Sequence, residues 1–295
     1  MPDLTYPPIP PVLTGDVETI SRFLNTPTFV PRALRTLTEQ RFIGDVLLSG
    51  RVTPQGGAVL YEQNESIFAD RTDLDPIHAG MEFPISTVGR GVAQIASVLK
   101  RGLDSFVTLE DVQRLNFSPV DRALTKLANS VIRNVDGVVL TAITAAPTQT
   151  LAATASWSGA GAKILLDLLT AVAKINNQNQ GYNADTLVLD DFHYATMMND
   201  QTVQTAMRRE TVDNPIYSGH MGRIAGLDVM VTNNGPNSAV GFVLDRSLLG
   251  AIADERPLTS GSWWLPETEK WRLRALRTMV PMVIEPNACV QLTGI

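Results

Sequence analysis

A single cysteine, Cys289, stands among 295 residues. That excludes an intrachain disulfide framework and any cysteine-rich zinc or iron–sulfur site. Aromatic residues make up only 6% and charged residues 18%, the latter below the quarter typical of a soluble domain. The core must therefore be built mainly from Val, Leu, Ile and Ala. Basic charge is in deficit as well: 24 Lys and Arg face 30 Asp and Glu, for a net charge of −6. A protein that grips phosphate backbones carries the opposite excess or a dense basic stripe, and this chain has neither. No run of about 18 uninterrupted apolar residues occurs, so no segment reads as a membrane-spanning helix. The opening MPDLTYPPIPPVL has no basic n-region and is broken by prolines, so it does not read as a signal peptide. A soluble protein of a reducing compartment is expected.

What is present is a sequence 44% hydrophobic, long enough to bury about 75% of its unfolded surface. Five prolines in Pro2–Pro11 forbid helix and favour an extended arm lying on something else. Short helices are expected over Val17–Asn25, capped by Asp16, and from Pro31. Val46–Val52 and Ala58–Gln63 read as strands joined by the turn Thr53-Pro-Gln-Gly-Gly57, with a polar loop at Arg71–Gly80 and another extended run at Glu82–Val88. So long a hairpin, poor in large apolar residues, is expected to rest on a neighbouring subunit.

The strongest periodicity starts at Ser118-Pro119. Val120, Ala123, Leu124, Leu127, Ala128, Val131, Ile132, Val135 and Val139 recur every three or four residues, predicting one amphipathic helix to about Ala146. Beyond it the pattern alternates. A helix is expected over Gly161–Asn176 with Ile164, Leu165, Leu168, Leu169 and Val172 inward, then a strand at Thr186–Asp190 and a helix near Phe192–Asn199. Strands follow at Leu227–Thr232, Val240–Leu244, Gly250–Pro257, Lys270–Pro281 and Met282–Gln291.

Each candidate for chemistry has a plainer reading. Asp73, Asp75 and His78 suggest a metal loop, but a calcium loop starting at Asp73 needs Gly and Glu where His78 and Pro84 stand. Asp190, Asp191 and His193 could form an acid–base pair, yet an Asp where a strand meets a helix is most often a cap. Gly159-Ala-Gly161-Ala-Lys163 lacks phosphate-loop spacing, and no strand leads into it. His193 and His220 lie apart with no nucleophile elbow, and Cys289 reads as a buried structural thiol. The sequence therefore assigns no catalytic, cofactor-binding or metal-binding residue and no cofactor. Arg272, Arg274 and Arg277 form the more informative series. They read either as a solvated strand face or as intersubunit partners of Asp254, Glu255, Glu267 or Glu269.

The order of arm, weakly anchored hairpin, long helix, α/β unit and strand return resembles the major capsid proteins of tailed bacteriophages, the Hong Kong 97-type shell fold. Four segments carry the likeness: Leu99-Lys-Arg-Gly-Leu-Asp-Ser-Phe-Val-Thr-Leu-Glu-Asp-Val112 before the long helix, Ala225-Gly-Leu-Asp-Val-Met-Val231, Leu244-Asp-Arg-Ser-Leu-Leu-Gly-Ala-Ile-Ala-Asp-Glu-Arg-Pro257, and Trp271 to Ile295. The resemblance implies an α+β fold with an N-terminal arm (1–41), an extended β-hairpin loop (42–85), and a peripheral domain with a spine helix (86–146) and return strands (246–286). It also implies an axial domain (147–245, with 287–295).

The function implied is a non-enzymatic shell protein forming hexamers and pentamers of itself around double-stranded DNA, in the virion, assembled in the bacterial host cytoplasm. Scaffolding, portal and decoration proteins are the implied partners, and no membrane is involved. Two features depart from parts of the family. Phe42–Leu99 contains no lysine, so a lysine cross-link cannot start from the loop. The chain runs from Met1 straight into the arm, which points to a separate scaffolding protein or none. An encapsulin-type compartment and, from another class, an α/β hydrolase centred on His193 or His220 are the alternatives.

Overall fold

The computed structural model describes residues 43–295 apart from 55, 72–75, 115–118, 148, 160, 207–221 and 236–240. The arm and the helices expected before residue 42 lie outside the described residues, as do Asp73, Asp75 and His220. In chain order, α1 (Gly44–Leu47), β1 (Gly50–Val52), β2 (Ala58–Gln63), β3 (Val92–Ser97) and β4 (Leu99–Thr108) lead to α2 (Leu109–Arg114) and the long α3 (Pro119–Ala145). Then come β5 (Gln149–Ala152), α4 (Ile164–Asn176), β6 (Thr186–Leu189), α5 (Asp191–Asn199), α6 (Gln201–Ala206), β7 (Arg223–Ile224), β8 (Leu227–Val231) and β9 (Gly241–Leu244). Two long strands, β10 (Gly250–Leu265) and β11 (Lys270–Val283), and the final β12 (Cys289–Thr293) complete the chain.

The described residues fall into two compact units, one holding Val98–Val135 and Asp254–Met279, the other Ile43–Ser97, Asp136–Ala253 and Val280–Ile295. In the first, β4 pairs antiparallel with β11 from Leu99↔Met279 to Thr108↔Lys270. Val120, Leu124, Leu127 and Val131 of α3 are buried, as the three-and-four spacing requires. Proline at the first position supplies a preset φ where no N–H is needed, and the helix runs 27 residues, about 40 Å at 1.5 Å per residue.

The second unit is built on a six-stranded sheet of order β5-β12-β9-β6-β8-β7. Every residue of the central β6 and β9 is buried, which is why both read as continuous apolar runs rather than alternating ones. Leu168, Ala171 and Ile175 of α4 pack in one core with Leu187, Leu189, Val243 and Leu292. The β7–β8 hairpin turns on Ala225 and Gly226, at φ +51° and +84°. Positive φ at both central residues is the type I′ pattern, which explains glycine in that motif.

Three local expectations are corrected. Val46–Val52 is not a strand paired with Ala58–Gln63. Asp136 accepts the Gly44 N–H at 2.9 Å and anchors α1, so Leu47 and Leu48, neighbours in sequence, are both fully buried. β1 instead lies parallel to β10, Gly50↔Ala251, and β2 pairs with β3, so Glu82–Val88 forms no strand. On α4, Leu169 turns outward and Asp167 inward. Asp167 accepts the Thr154 N–H (3.1 Å) and the Trp157 indole N–H (3.2 Å). Finally, β11 passes through Pro281, because its ladder with β4 stops at Met279; the break comes at Pro286–Ala288.

Two predictions follow from close contacts. A Cβ on Gly250 would lie 2.1 Å from the Met282 carbonyl oxygen, so Gly250→Ala should lower stability by about 1–3 kcal/mol or more in urea unfolding. Burial pushes the Asp136 carboxyl above the ordinary carboxylate range, while N–H donors from Gly44 and Asn234 partly oppose that rise. A raised folded-state value means that stability is lost as pH rises through it. Asp136→Asn should therefore gain on the parent as pH rises above the ordinary carboxylate range. Asp136→Ala, which strands the Gly44 N–H, should cost about 1–3 kcal/mol.

Candidate assembly surfaces

The residues singled out for chemistry hold structure. Asp190 takes a β conformation before α5 and accepts the His193 N–H at 2.8 Å. Its carboxylate also meets the His193 Nδ1, while His193 Nε2 sits 3.3 Å from the Ile295 carbonyl. Both ring nitrogens thus serve a helix cap and the chain end. Asp191 pairs with the Asn233 side chain. Gly161 adopts φ +93° two residues before Lys163, the N-cap position of α4, consistent with small residues turning into a helix. Cys289 is buried, which pushes its thiol up to about 12. His78 is exposed. Among the described residues no group of three or more His, Cys, Asp or Glu is placed to hold a metal ion.

The Leu244-Asp-Arg-Ser segment forms a polar joint. Buried Asp245 accepts the Asn183 and Ser247 N–H groups, both at 2.9 Å. Arg246 spans Asp185 at 3.0 Å and Asp228 at 2.9 Å.

The arginine series pairs inside the chain, a correction to the intersubunit alternative. Arg272 and Arg274 share Asp104 on the facing strand: Nε of each lies 2.6 Å from a carboxylate oxygen. The strand register Arg274↔Asp104 brings them together, and sequence reasoning missed this partner because it lies 170 positions away. Trp263 lies against both guanidinium groups, with 4.8 Å from its centroid to Arg274, and Trp264 stacks obliquely on Trp271 at 5.3 Å. Arg277 does pair with the expected Asp254, bidentate at 2.8 Å, but within one chain. Hydrogen bonding from Arg274 chiefly holds Asp104 below the usual carboxylate range.

Among the described residues, the hairpin and the loop after β2 carry much of the exposed apolar surface. Val59, Tyr61 and Ala96 pack on Ala251, Ala253 and Met282, and the Gln63 side chain and Asn64 N–H bond the Val283 and Ile284 carbonyls at 3.0 and 3.1 Å. The other face holds Leu60 opposite Ile95, exposed by 69% and 73%. In the following loop Phe83, Ile85 and Val88 are exposed by 76%, 87% and 78%. Bonds within and from this loop include Asp70 N–H to the Thr87 carbonyl at 3.1 Å, Arg71 N–H to Ser86 at 3.0 Å, and Ile67 N–H to Gln180 at 3.0 Å. An apolar set this exposed among the described residues is a candidate interaction surface.

A model of a family described as phage capsid protein matches residues 91–292. No curated protein matches the chain. Among solved structures, the capsid of cyanophage P-SCSP1u superposes with a TM-score of 0.66 at 12% identity, covering 85% of this chain and 88% of that one. A virus-like particle from Pyrococcus furiosus gives 0.61 at 14% identity, covering 89% and 97%. Mycobacterium phage Che8 gives 0.57 at 14%, covering 81% and 85%.

One prediction concerns Asp104. Because its folded-state value is lowered, its contribution is present above the ordinary carboxylate range and is lost as pH falls through the lowered value. Asp104→Asn should remove that part of the acid limb of stability and lower the thermal midpoint at neutral pH. Circular dichroism melts across pH measure both.

Proposed function

The chain belongs to the phage capsid protein family, with the Hong Kong 97-type fold, and from that premise we propose that its copies assemble as hexamers and pentamers into an icosahedral head around double-stranded DNA. In this reading the six-stranded unit is the axial part, and α3 with β4 and β11 is the peripheral part. The protein acts as a structural component of the virion and catalyses nothing, and it is assembled in the host cytoplasm with scaffolding and portal partners.

The observation that carries the reading is the hairpin with apolar residues on both faces, one of which the described residues leave uncovered. Burying a Leu, Ile or Phe side chain is worth about 1.5–3 kcal/mol, so Leu60, Ile95, Phe83 and Ile85 favour a neighbour that covers them. Many modest contacts of this kind, repeated round a closed shell, give stability by multivalency. A net charge of −6 suits a container whose wall must not adhere strongly to the polyanion inside it.

A second reading, a compartment of encapsulin type, draws on the likeness to the virus-like particle. The two separate on partners and cargo. Shells formed by this chain alone that enclose protein favour the compartment, whereas uniform particles that need portal and scaffold favour the head.

Negative-stain microscopy of the purified protein should show rings, sheets or shells. A chain that remains monomeric across salt and concentration overturns the proposal. Phe83→Ser with Ile85→Ser should block particle formation while leaving the circular dichroism spectrum and thermal midpoint of the subunit unchanged. With no lysine in Phe42–Leu99, boiled particles should run as monomers in denaturing gels, and a covalent ladder would contradict a non-covalent shell.

A further inference from the structure

Within the first unit, β4 and α3 enclose an open pocket of about 430 Å³ whose lining includes Arg101, Leu103, Ser130, Val131, Asn134 and Arg277. Three cations line it, Lys100 together with Arg101 and Arg277. Arg101 stands directly opposite Arg277, so two guanidinium groups share one face of the sheet. Like charges in that relation repel. Arg277 is neutralised: it is 4% exposed and its Nε and Nη2 both bond Asp254 at 2.8 Å. Among the described residues Arg101 has no carboxylate partner: its Nε is buried without a hydrogen bond, and no Asp or Glu is among the described residues that line the pocket. A buried donor on a cation is costly to leave unmade, and the group that satisfies it best is an anion.

The opposite wall suits the same ligand. Ser130 and Asn134 lie four residues apart on α3, on one side of the helix, and both line the pocket. They offer a hydroxyl and an amide N–H beside the guanidinium. Val131, Val135 and Leu103 supply apolar walls that lower the local dielectric and strengthen a charge-assisted bond. Gly102, between Arg101 and Leu103, keeps the strands close: a Cβ there would lie 2.8 Å from Leu276 Cβ and 2.9 Å from the Ala275 carbonyl oxygen. Arg101 is therefore carried on a tightly paired strand rather than on a loop.

We propose that this pocket is an oxyanion site, taking one carboxylate or phosphate group with Arg101 as the principal donor and Ser130 and Asn134 as secondary ones. Two sources share that chemistry: an acidic side chain of a second copy, plentiful in a chain with 30 Asp and Glu, and a free anion in solution. The site stands on the geometry of one unit and does not depend on the shell reading.

The test titrates unassembled protein with inorganic phosphate at constant ionic strength, following heat and thermal midpoint. The expected result is saturable binding with a rise in midpoint. Arg101→Gln should weaken it at least about tenfold, the scale of one charge-assisted bond. Asn134→Leu, which changes no charge, should weaken it less. Lys163→Gln, which removes the same charge from the other unit, should leave it unchanged.

If the source is a second copy, Arg101→Gln raises the protein concentration needed for assembly and phosphate competes with assembly. If it is a free anion, assembled particles still bind phosphate and Arg101→Gln assembles like the parent. The proposal is overturned if the parent shows no saturable phosphate response and Arg101→Gln assembles normally, or if Arg101→Gln binds phosphate as the parent does. Should Arg101→Gln fail to fold, Asn134→Leu decides, and unchanged phosphate affinity in it counts against the site. Protein that binds phosphate but never assembles would leave the site standing and remove the shell.

Discussion

Short strands and abrupt chain reversals leave backbone N–H groups without ladder partners, and burying such groups unpaired is expensive. This protein answers with buried carboxylates. Asp136, Asp167, Asp190 and Asp245 are each less than a tenth exposed, and each accepts at least one backbone N–H: from Gly44, Thr154, His193, and Asn183 with Ser247. Every one sits at a joint: where α1 begins, where the segment after β5 meets α4, where β6 passes into α5, where β9 leaves the sheet. These four acidic residues are structural. The apolar core fills the space between the elements, while these four contacts hold where the elements start and stop.

The same contacts explain what could and could not be read from the sequence. α3 was legible within a residue at each end, because its spacing is local and Pro119 marks the start. Asp190 was legible as a cap for the same reason. The fate of Val46–Leu48 was not, since it depends on a carboxylate 92 positions away. Leu169 was placed inward because it fits an apolar stripe. What displaced it is a charged residue, Asp167, drawn inside by Trp157 and Thr154. Asp104 was invisible as the partner of Arg272 and Arg274, because strand register across 168 to 170 positions leaves no local trace. The likeness to a family supplied the global order that periodicity could not. The exposed apolar face of the hairpin emerged only when β2 was found to pair with β3.

The two units divide the work of a shell subunit by chemistry. The six-stranded unit spends its apolar residues inward and fixes its edges with polar joints such as Arg246 between Asp185 and Asp228. The β4–β11 pair carries three of the paired arginines on its two faces: Arg272 and Arg274 with Asp104 on one, Arg277 with Asp254 and opposite Arg101 on the other. Arginine–carboxylate pairs already closed inside the chain are not available to grip a neighbour. The assembly proposed above then draws on apolar contact at the hairpin.

A hairpin with one face sheltered and one bare also sets a clock. Leu60, Ile95 and the loop beyond them are present on the subunit from the moment it folds, and a bare apolar strand pair adheres to whatever it meets first. The free subunit is therefore a short-lived reagent whose useful lifetime falls as its own concentration rises. Productive growth requires that a correct edge be encountered sooner than a wrong one, so the supply of new chains has to be matched to the number of growing edges.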